Sequence, residues 1–196
     1  MGITERREAE KEILRAKIFD GASRLIIEEG YEKFSIRNLA KEIEYSPAMI
    51  YNYFKDKDDI IMAITIHNYD RIYRELSCVE FKSMSPKTAL KTGLLKFSYL
   101  ILKFREHFRA TLLSGVNNTD RMSDDNRGMD LLINILNRGI SSGDFIIENT
   151  EFTAFLLITG VFGVMNMIVL NKLYDENIIT ETINGYVEIL VKGVIK

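Results

Sequence analysis

The 196-residue chain is predicted to be an all-α protein, and three observations support this. Hydrophobic residues make up 46% of the sequence, and only two residues are proline, so long helices are favoured over disorder. Apolar residues recur at helical spacings of three and four, and no useful length of chain alternates as a strand would. We expect an N-terminal three-helix head over residues 1–56 and a larger helical domain over residues 57–196.

The first helix is predicted over residues 8–29. Its apolar stripe is formed by residues spaced four, four and three apart, namely Leu14, Ile18, Ala22 and Leu25. Gly30 follows directly, and a glycine at this place commonly ends a helix in the left-handed conformation. The residues before the stripe are charged and have no apolar core, so they do not resemble a secretion signal.

Two short helices are predicted next, over residues 36–43 and 47–54, with a tight turn between them. Ser35 and Ser46 stand where a hydroxyl would accept a bond from a free backbone N–H of the first turn. Pro47 falls at the first helical position, where its missing N–H costs nothing. A third, longer helix starts after Asp56 and runs to about residue 78. This arrangement is a helix-turn-helix, which places its second helix in a DNA major groove.

The second short helix has an inward and an outward face. Ile50 and Phe54 lie four apart and should pack inward, with Tyr53 and Pro47 beside them. The residues expected to face outward or lie at the margins are Ala48, Met49, Tyr51, Asn52 and Lys55. This set offers base-edge and phosphate contacts without a repelling charge. The alternative is that the aromatic residues of this helix simply fill a core.

At these residues the chain resembles the TetR family of transcriptional regulators. The residues that carry the resemblance are Leu39-Ala40, Ser46, Ile50-Tyr51, Tyr53-Phe54 and Lys57-Asp58-Asp59-Ile60-Ile61, with Glu28-Glu29-Gly30-Tyr31 upstream. The similarity spans about residues 10–65, and the remainder matches only in length and helical character. The family commonly has glycine in the turn, where this chain has Glu44. A positive φ there would cost a non-glycine residue about 1 kcal/mol.

The resemblance implies a homodimeric regulator of double-stranded operator DNA, most commonly a repressor, which a small-molecule effector releases. The residues expected to contact DNA are Ser35, Arg37, Ser46, Pro47, Ala48, Met49, Tyr51, Asn52, Tyr53, Lys55 and Lys57. The net charge of −2 and a pI near 5.8 supply no bulk attraction to DNA. Affinity would therefore depend on where the positive groups lie.

Further helices are predicted over residues 86–103, 105–114, 127–141, 151–173 and 181–196, separated by breaks rich in Gly, Ser, Asn and Asp. Residues 152–170 are almost wholly apolar, so a membrane span is one interpretation. Burial between two subunits is the other, and we favour it. The interface residues predicted on the last two helices are Gly160, Gly163, Ile183, Val187, Leu190 and Val194. The alternative function is therefore a membrane-associated or helix-bundle interaction protein without DNA binding.

The body between the two ends is the predicted sensor for an uncharged, largely apolar effector. Its aromatic and thioether side chains suit an adaptable pocket, although they could equally fill a core. The candidate ligand-binding residues are Phe97, Tyr99, Phe104, His107, Phe108, Phe162 and Met165, with Met122, Met129 and Phe145 as further members of the aromatic and thioether set.

Enzymatic function is not expected. The sequence has no phosphate-cradling glycine loop, no Gly-x-Ser-x-Gly and no His or Cys set arranged as a triad or metal site. We therefore predict no cofactor and no metal. Cys78 is the only cysteine, which fits a reducing cytoplasm.

Overall fold

The computed structural model describes residues 3–115, 127–173 and 175–196. The helices in this part of the chain are α1 (Ile3–Glu29), α2 (Ile36–Glu42), α3 (Pro47–Tyr51), α4 (Lys57–Ser77), α5 (Pro86–Lys103), α6 (Arg105–Ser114), α7 (Arg127–Ser141), α8 (Thr150–Leu170) and α9 (Glu176–Lys192). A short 3-10 turn covers Phe81–Ser83. The described residues contain no strand beyond an isolated bridge between Phe145 and Ile195, so the all-α prediction is confirmed.

The predicted bounds of the last helix were wrong at both ends. Asp175 is the N-cap, and its carboxylate accepts bonds from the N–H groups of Asn177 and Ile178 at 2.9 and 3.1 Å. This cap starts α9 earlier than predicted. At the other end, the carbonyl of Val194 accepts a 2.9 Å bond from the N–H of Ile146, which draws the last residues out of the helix.

The described residues form two compact units, and the first comprises the chain up to Asn68 together with α6 from Glu106. Its core contains the buried residues Ile18, Ala22, Leu25, Ile26, Phe34, Ile36, Leu39, Ala40, Ile43, Ile50, Phe54, Ile60, Ile61, Ile64 and Ala110. By packing, the start of α4 therefore belongs with the helix-turn-helix. The division after Asp56 stays a prediction about function.

Two side-chain contacts tie α6 into this first unit. Arg109, which is nearly buried, makes a two-bond ion pair with Glu32; the bond from its Nη1 to Oε2 is 3.0 Å long. The hydroxyls of Thr65 on α4 and Thr111 on α6 lie 2.6 Å apart. α1 and α2 approach closely at Gly21, where an added Cβ would lie 2.4 Å from the side chain of Ile43.

The second unit runs from Tyr69 to Arg105 and continues from Arg127 to the end of the chain. In it, α5 packs against α7, α8 and α9. Arg138 of α7 donates to the carbonyls of Phe81 and Met84 at 2.8 and 2.7 Å, which fixes the 3-10 turn. Leu90, Leu136 and Met165 are among its fully buried residues.

The interface predicted on the last two helices needs correction. Ile183, Val187 and Val194 are buried inside the second unit, because the stripe they belong to is the one that packs against the chain's own helices. The ring of Tyr186 occupies the space beside Gly160, whose added Cβ would lie 2.5 Å from the phenol oxygen. Of the six predicted residues, half-buried Gly160 and Leu190 and exposed Gly163 leave surface for a second copy.

The solvent-facing side of α8 is apolar instead, whereas that of α9 also carries Glu176, Glu181 and Lys192. The exposed large residues on α8 and α9 are Phe152, Phe155, Leu156, Met167, Leu170, Ile178 and Ile189. α8 is also long and apolar enough to cross a membrane by length and composition alone. Its other side carries Ala154, Leu157, Val161, Met165, Ile168 and Val169, which are buried in the core of the second unit.

Candidate nucleic-acid interface

The first helix of the motif, α2, is capped at both ends. The hydroxyl of Ser35 accepts a 3.1 Å bond from the N–H of Asn38 at its start. At its end, the N–H groups of Glu44 and Tyr45 bond to the carbonyls of Lys41 and Ala40 at 3.3 and 2.9 Å, which is the Schellman arrangement. Glu44 has φ 59°, so the prediction that this turn requires a positive φ is confirmed.

The second helix of the motif, α3, starts as predicted and ends early. Ser46 accepts a 3.2 Å bond from the N–H of Met49, and Pro47 takes the first turn. The helix ends at Tyr51 rather than at residue 54, because its last bonds tighten to the three-residue spacing. Asn52 is consequently the C-cap. Ile50 and Phe54 are buried as predicted, whereas Pro47 is exposed rather than packed beside them.

The predicted DNA contacts fall into two groups by exposure. Those open to solvent are Arg37, Ser46, Pro47, Ala48, Met49, Tyr51, Asn52 and Lys55, while Ser35, Tyr53 and Lys57 are half-buried. Tyr51 is 55% exposed, but Tyr53 packs against the core of the first unit. The exposed residues thus lie mainly on and just after α3, and Arg37 is exposed on α2, which packs against α3.

Lys57 is half-buried and already has partners inside the first unit. Its ammonium lies 3.7 Å from the ring centroid of Tyr31 and donates a 3.2 Å bond to the carbonyl of the same residue. Burial lowers the pKa of Lys57, and Asp58 and Glu32 partly offset this by favouring the charge. A phosphate would therefore have to compete with contacts that Lys57 already makes inside the first unit.

Two cations of α1 were missed by the sequence analysis. The ammonium of Lys17 lies 4.7 Å from the ring centroid of Tyr45, and the guanidinium of Arg15 lies 5.4 Å from that of Phe54. Both place positive charge beside the turn and the end of α3. The available signal was the stripe of α1 itself, since Lys17 directly precedes its buried member Ile18.

The candidate ligand-binding residues are divided between the two units. His107 and Phe108 belong to the first unit, and the others belong to the second. Phe97 and Phe162 meet edge to face with ring centroids 5.6 Å apart. Tyr99 is exposed, and the ring of Phe104 packs 4.4 Å from the guanidinium of Arg71. Met122 lies outside the described residues.

The comparisons with known proteins agree with this geometry. The family model described as bacterial regulatory proteins, tetR family, matches residues 18–64. Within this segment the chain is therefore similar to TetR-family regulators. The match covers the second part of α1, the helix-turn-helix and the start of α4. The resemblance stated from the motif residues is thereby confirmed.

Curated relatives match over shorter stretches than their own length. The uncharacterized HTH-type transcriptional regulator YuxN of Bacillus subtilis is 28% identical over 98 residues, which is 50% of this chain and 34% of that protein. The HTH-type transcriptional repressor Rv1474c of Mycobacterium tuberculosis is 36% identical over 58 residues, or 30% of this chain and 31% of that protein. The chain thus matches about a third of the length of these HTH-type relatives.

Solved structures resemble the chain over nearly its whole length. The regulator FadR of Bacillus subtilis, solved in complex with stearoyl-CoA, has a TM-score of 0.69 and 23% identity, covering 91% of this chain and 98% of that one. RolR, solved with resorcinol, has a TM-score of 0.68 and 15% identity, covering 95% and 90%. At these identities the likeness shows a shared TetR-type fold.

Proposed function

We propose that this chain is a DNA-binding transcriptional regulator that acts as a homodimer in the cytoplasm. The observation that supports it best is the capped α2–turn–α3 unit, which lies inside the segment matched by the TetR family model. The outward side of α3 is exposed, as a helix that enters a major groove must be.

The roles proposed for the site residues follow from their placement. Ala48, Met49 and Asn52 face base edges from α3. Tyr51 and Lys55 hold phosphates, and Arg37 reaches the duplex from α2. Ser35 and Ser46 serve mainly as caps, since their hydroxyl oxygens accept backbone bonds at the helix starts.

The dimer is proposed to form through the exposed apolar side of α8 and α9. Phe155, Leu156 and Met167 on α8 and Ile189 on α9 are between 49 and 66% exposed in the single chain. An apolar surface of this kind on a water-soluble chain marks an interaction site. Two copies on a two-fold axis would present their α3 helices to half-sites about 34–36 Å apart.

The effector is proposed to be a small, largely apolar molecule that binds in the second unit and releases operator DNA. Two structural neighbours were solved with stearoyl-CoA and with resorcinol. The Phe97–Phe162 pair provides the aromatic surface that such molecules pack against. The effector must prefer one of two states of the protein, by a coupling of typically 1–3 kcal/mol. The named repressor Rv1474c favours repression as the output.

The test of DNA binding starts with selection of a duplex from a random pool, followed by titration at several salt concentrations. Lys55→Ala should weaken all duplexes alike and lower the salt slope by about one unit, because it removes one phosphate contact. Asn52→Ala should instead relax preference at one base position, at a cost of about 1–3 kcal/mol. Wild-type behaviour from both variants would show that α3 does not contact the operator.

The second candidate function is that of a membrane-associated or helix-bundle interaction protein. The length and apolar composition of α8 favour it. Flotation with lipid vesicles and sedimentation without detergent separate the two candidates. A dimer that stays in the aqueous phase and binds a selected duplex supports the regulator. Quantitative recovery with vesicles, and no specific duplex, supports the alternative.

A further inference from the structure

The exposed surface of α3 is uncharged and largely apolar. Ala48 is exposed, Met49 is 37% exposed and Tyr51 is 55% exposed, while Ile50 between them is fully buried. The sequence from Tyr45 to Phe54 contains no Lys, Arg, Asp or Glu. Any base that this helix contacts is therefore recognised without an ionic group.

The four bases present different groups in the major groove, and these groups differ in how well they suit an uncharged protein surface. Guanine is recognised mainly by the forked donors of Arg or by Lys, and cytosine by the carboxylates of Glu or Asp. α3 has none of these groups. Thymine presents a C5-methyl group, which apolar side chains such as that of alanine contact favourably. A thioether is also apolar and adapts its shape to what it contacts.

Asn52 adds the complementary preference at the end of the helix. It is exposed, and its amide nitrogen contacts the sulfur of Met49 at 3.9 Å, so the two side chains lie next to each other on the outward surface. Sulfur is a weak acceptor, so this contact is easily exchanged for a stronger one. An asparagine amide can pair with N6 and N7 of adenine in two bonds.

We propose that the base pairs contacted by α3 are A·T pairs, recognised through thymine methyl groups by Ala48 and Met49 and through adenine by Asn52. This inference rests on the proposed function, because it assumes that α3 enters the major groove. It predicts the base composition of the part of the operator that α3 contacts, which the fold does not determine. Arg37 on α2 and Lys55 after α3 are the residues among the exposed predicted contacts that can pair with a guanine, so any specific G·C pair should lie where one of these two reaches.

The experiment replaces each thymine of the selected operator by uracil, one position at a time. Uracil keeps the Watson–Crick pairing and the phosphate charge and removes only the methyl group. We expect about a fourfold loss of affinity at each position whose methyl is buried against α3, and no change elsewhere. Met49→Gln keeps the length of the side chain and its helix propensity. It should bind the thymine and uracil duplexes equally at the position that Met49 contacts.

Arg37→Ala serves as the matched control. It should lower affinity for every duplex and keep the ratio between thymine and uracil duplexes unchanged, because it leaves α3 intact. A selected operator that is bound specifically, but with equal affinity after every uracil substitution, overturns the methyl contacts and leaves the proposed function standing. Failure to select any specific duplex overturns the proposed function itself.

Discussion

α3 and α8 both expose apolar side chains, yet their surroundings differ. α3 is five residues long, and its exposed surface includes the Tyr51 phenol and the Asn52 amide, with Lys55 close behind in the sequence. α8 is 21 residues long, and no charged residue occurs between Glu151 and Lys172. A small apolar patch among hydrogen-bonding groups suits the polar edge of a duplex. A long uninterrupted one suits another apolar surface, which a second copy of the chain would supply in the proposed dimer.

The largest effects are expected when a charge is placed on each of the two surfaces. Phe155→Glu should disrupt the dimer, because a carboxylate buried without a partner in an apolar interface costs several kcal/mol. Specific DNA binding should be lost with it, since a single half-site contact is too weak. Met49→Glu should repel DNA and leave the dimer intact. Sedimentation velocity and duplex titration of both variants check this pair.

Two outcomes would contradict the proposed dimer interface. A Phe155→Glu protein that remains dimeric at the concentration where the wild type dimerises would show that α8 does not form the interface. A monomeric wild type with full operator affinity would remove the dimer proposal altogether.

A buried and an exposed phenol give the next contrast. Burial raises the pKa of Tyr69 to about 12 from its ordinary value of 10.0. Between pH 10 and about 12 the phenol of Tyr69 is therefore still protonated in the folded state and already ionised in the unfolded chain. The resulting stability is fully present below pH 10 and is lost as the pH rises through about 12, by up to about 3 kcal/mol.

The measurement is urea unfolding of the wild type, Tyr69→Phe and Tyr51→Phe at pH 8 to 11.5. Tyr69→Phe should flatten the alkaline loss of stability, and Tyr51→Phe, at an exposed position, is the control for the loss of a phenol. Identical slopes for all three proteins would mean that the phenol of Tyr69 titrates like a solvated one.

The two partners of the ion pair in the first unit should differ in how much their mutation lowers the free energy of unfolding. Glu32→Ala leaves the nearly buried guanidinium of Arg109 without its two carboxylate bonds, which should cost about 2 kcal/mol. Arg109→Met removes the guanidinium from the carboxylate of Glu32, but that side chain is 52% exposed, so water can solvate it. The loss should therefore be smaller for Arg109→Met in denaturant unfolding. A larger loss for that variant would show that the stem of Arg109 contributes more by packing than its charge does.

The head could be predicted from sequence because its signals are local. Ser35, Ser46 and Pro47 act within one turn of chain, and a hydroxyl three residues before an N–H can be found without knowing the fold. The end of α3 could not be predicted, since the tightened bonds around Asn52 depend on how Phe54 packs into the core.

The body was harder to predict because it is apolar on more than one side. The spacing of Ile183, Val187 and Val194 correctly indicated a buried stripe, but spacing does not say whether the chain or a second copy covers it. The same limit applies to Lys57, whose charge pointed to a phosphate while its ring partner, Tyr31, lies 26 residues away. Long-range partners of this kind leave no periodic signal.

The smallest expected effect compares one turn in each unit. Glu44 follows the C-cap of α2 at φ 59°, and Lys172 follows the C-cap of α8 at φ 51°. The bonds around each are the same Schellman bonds that α7 makes around Gly143. The left-handed conformation costs a non-glycine residue about 1–2 kcal/mol, and a glycine avoids this cost. Part of the gain is offset because glycine increases the conformational entropy of the unfolded chain. Glu44→Gly and Lys172→Gly should each stabilise the protein by about 0.5–1 kcal/mol in denaturant unfolding. Only Glu44→Gly should also raise DNA affinity, mostly at low salt, because it removes a negative charge from the turn directly before α3. Equal DNA affinity for both variants, measured with the same duplex, would place this turn away from the phosphates. A loss of stability in either variant would show that the side chain contributes more than its backbone strain costs.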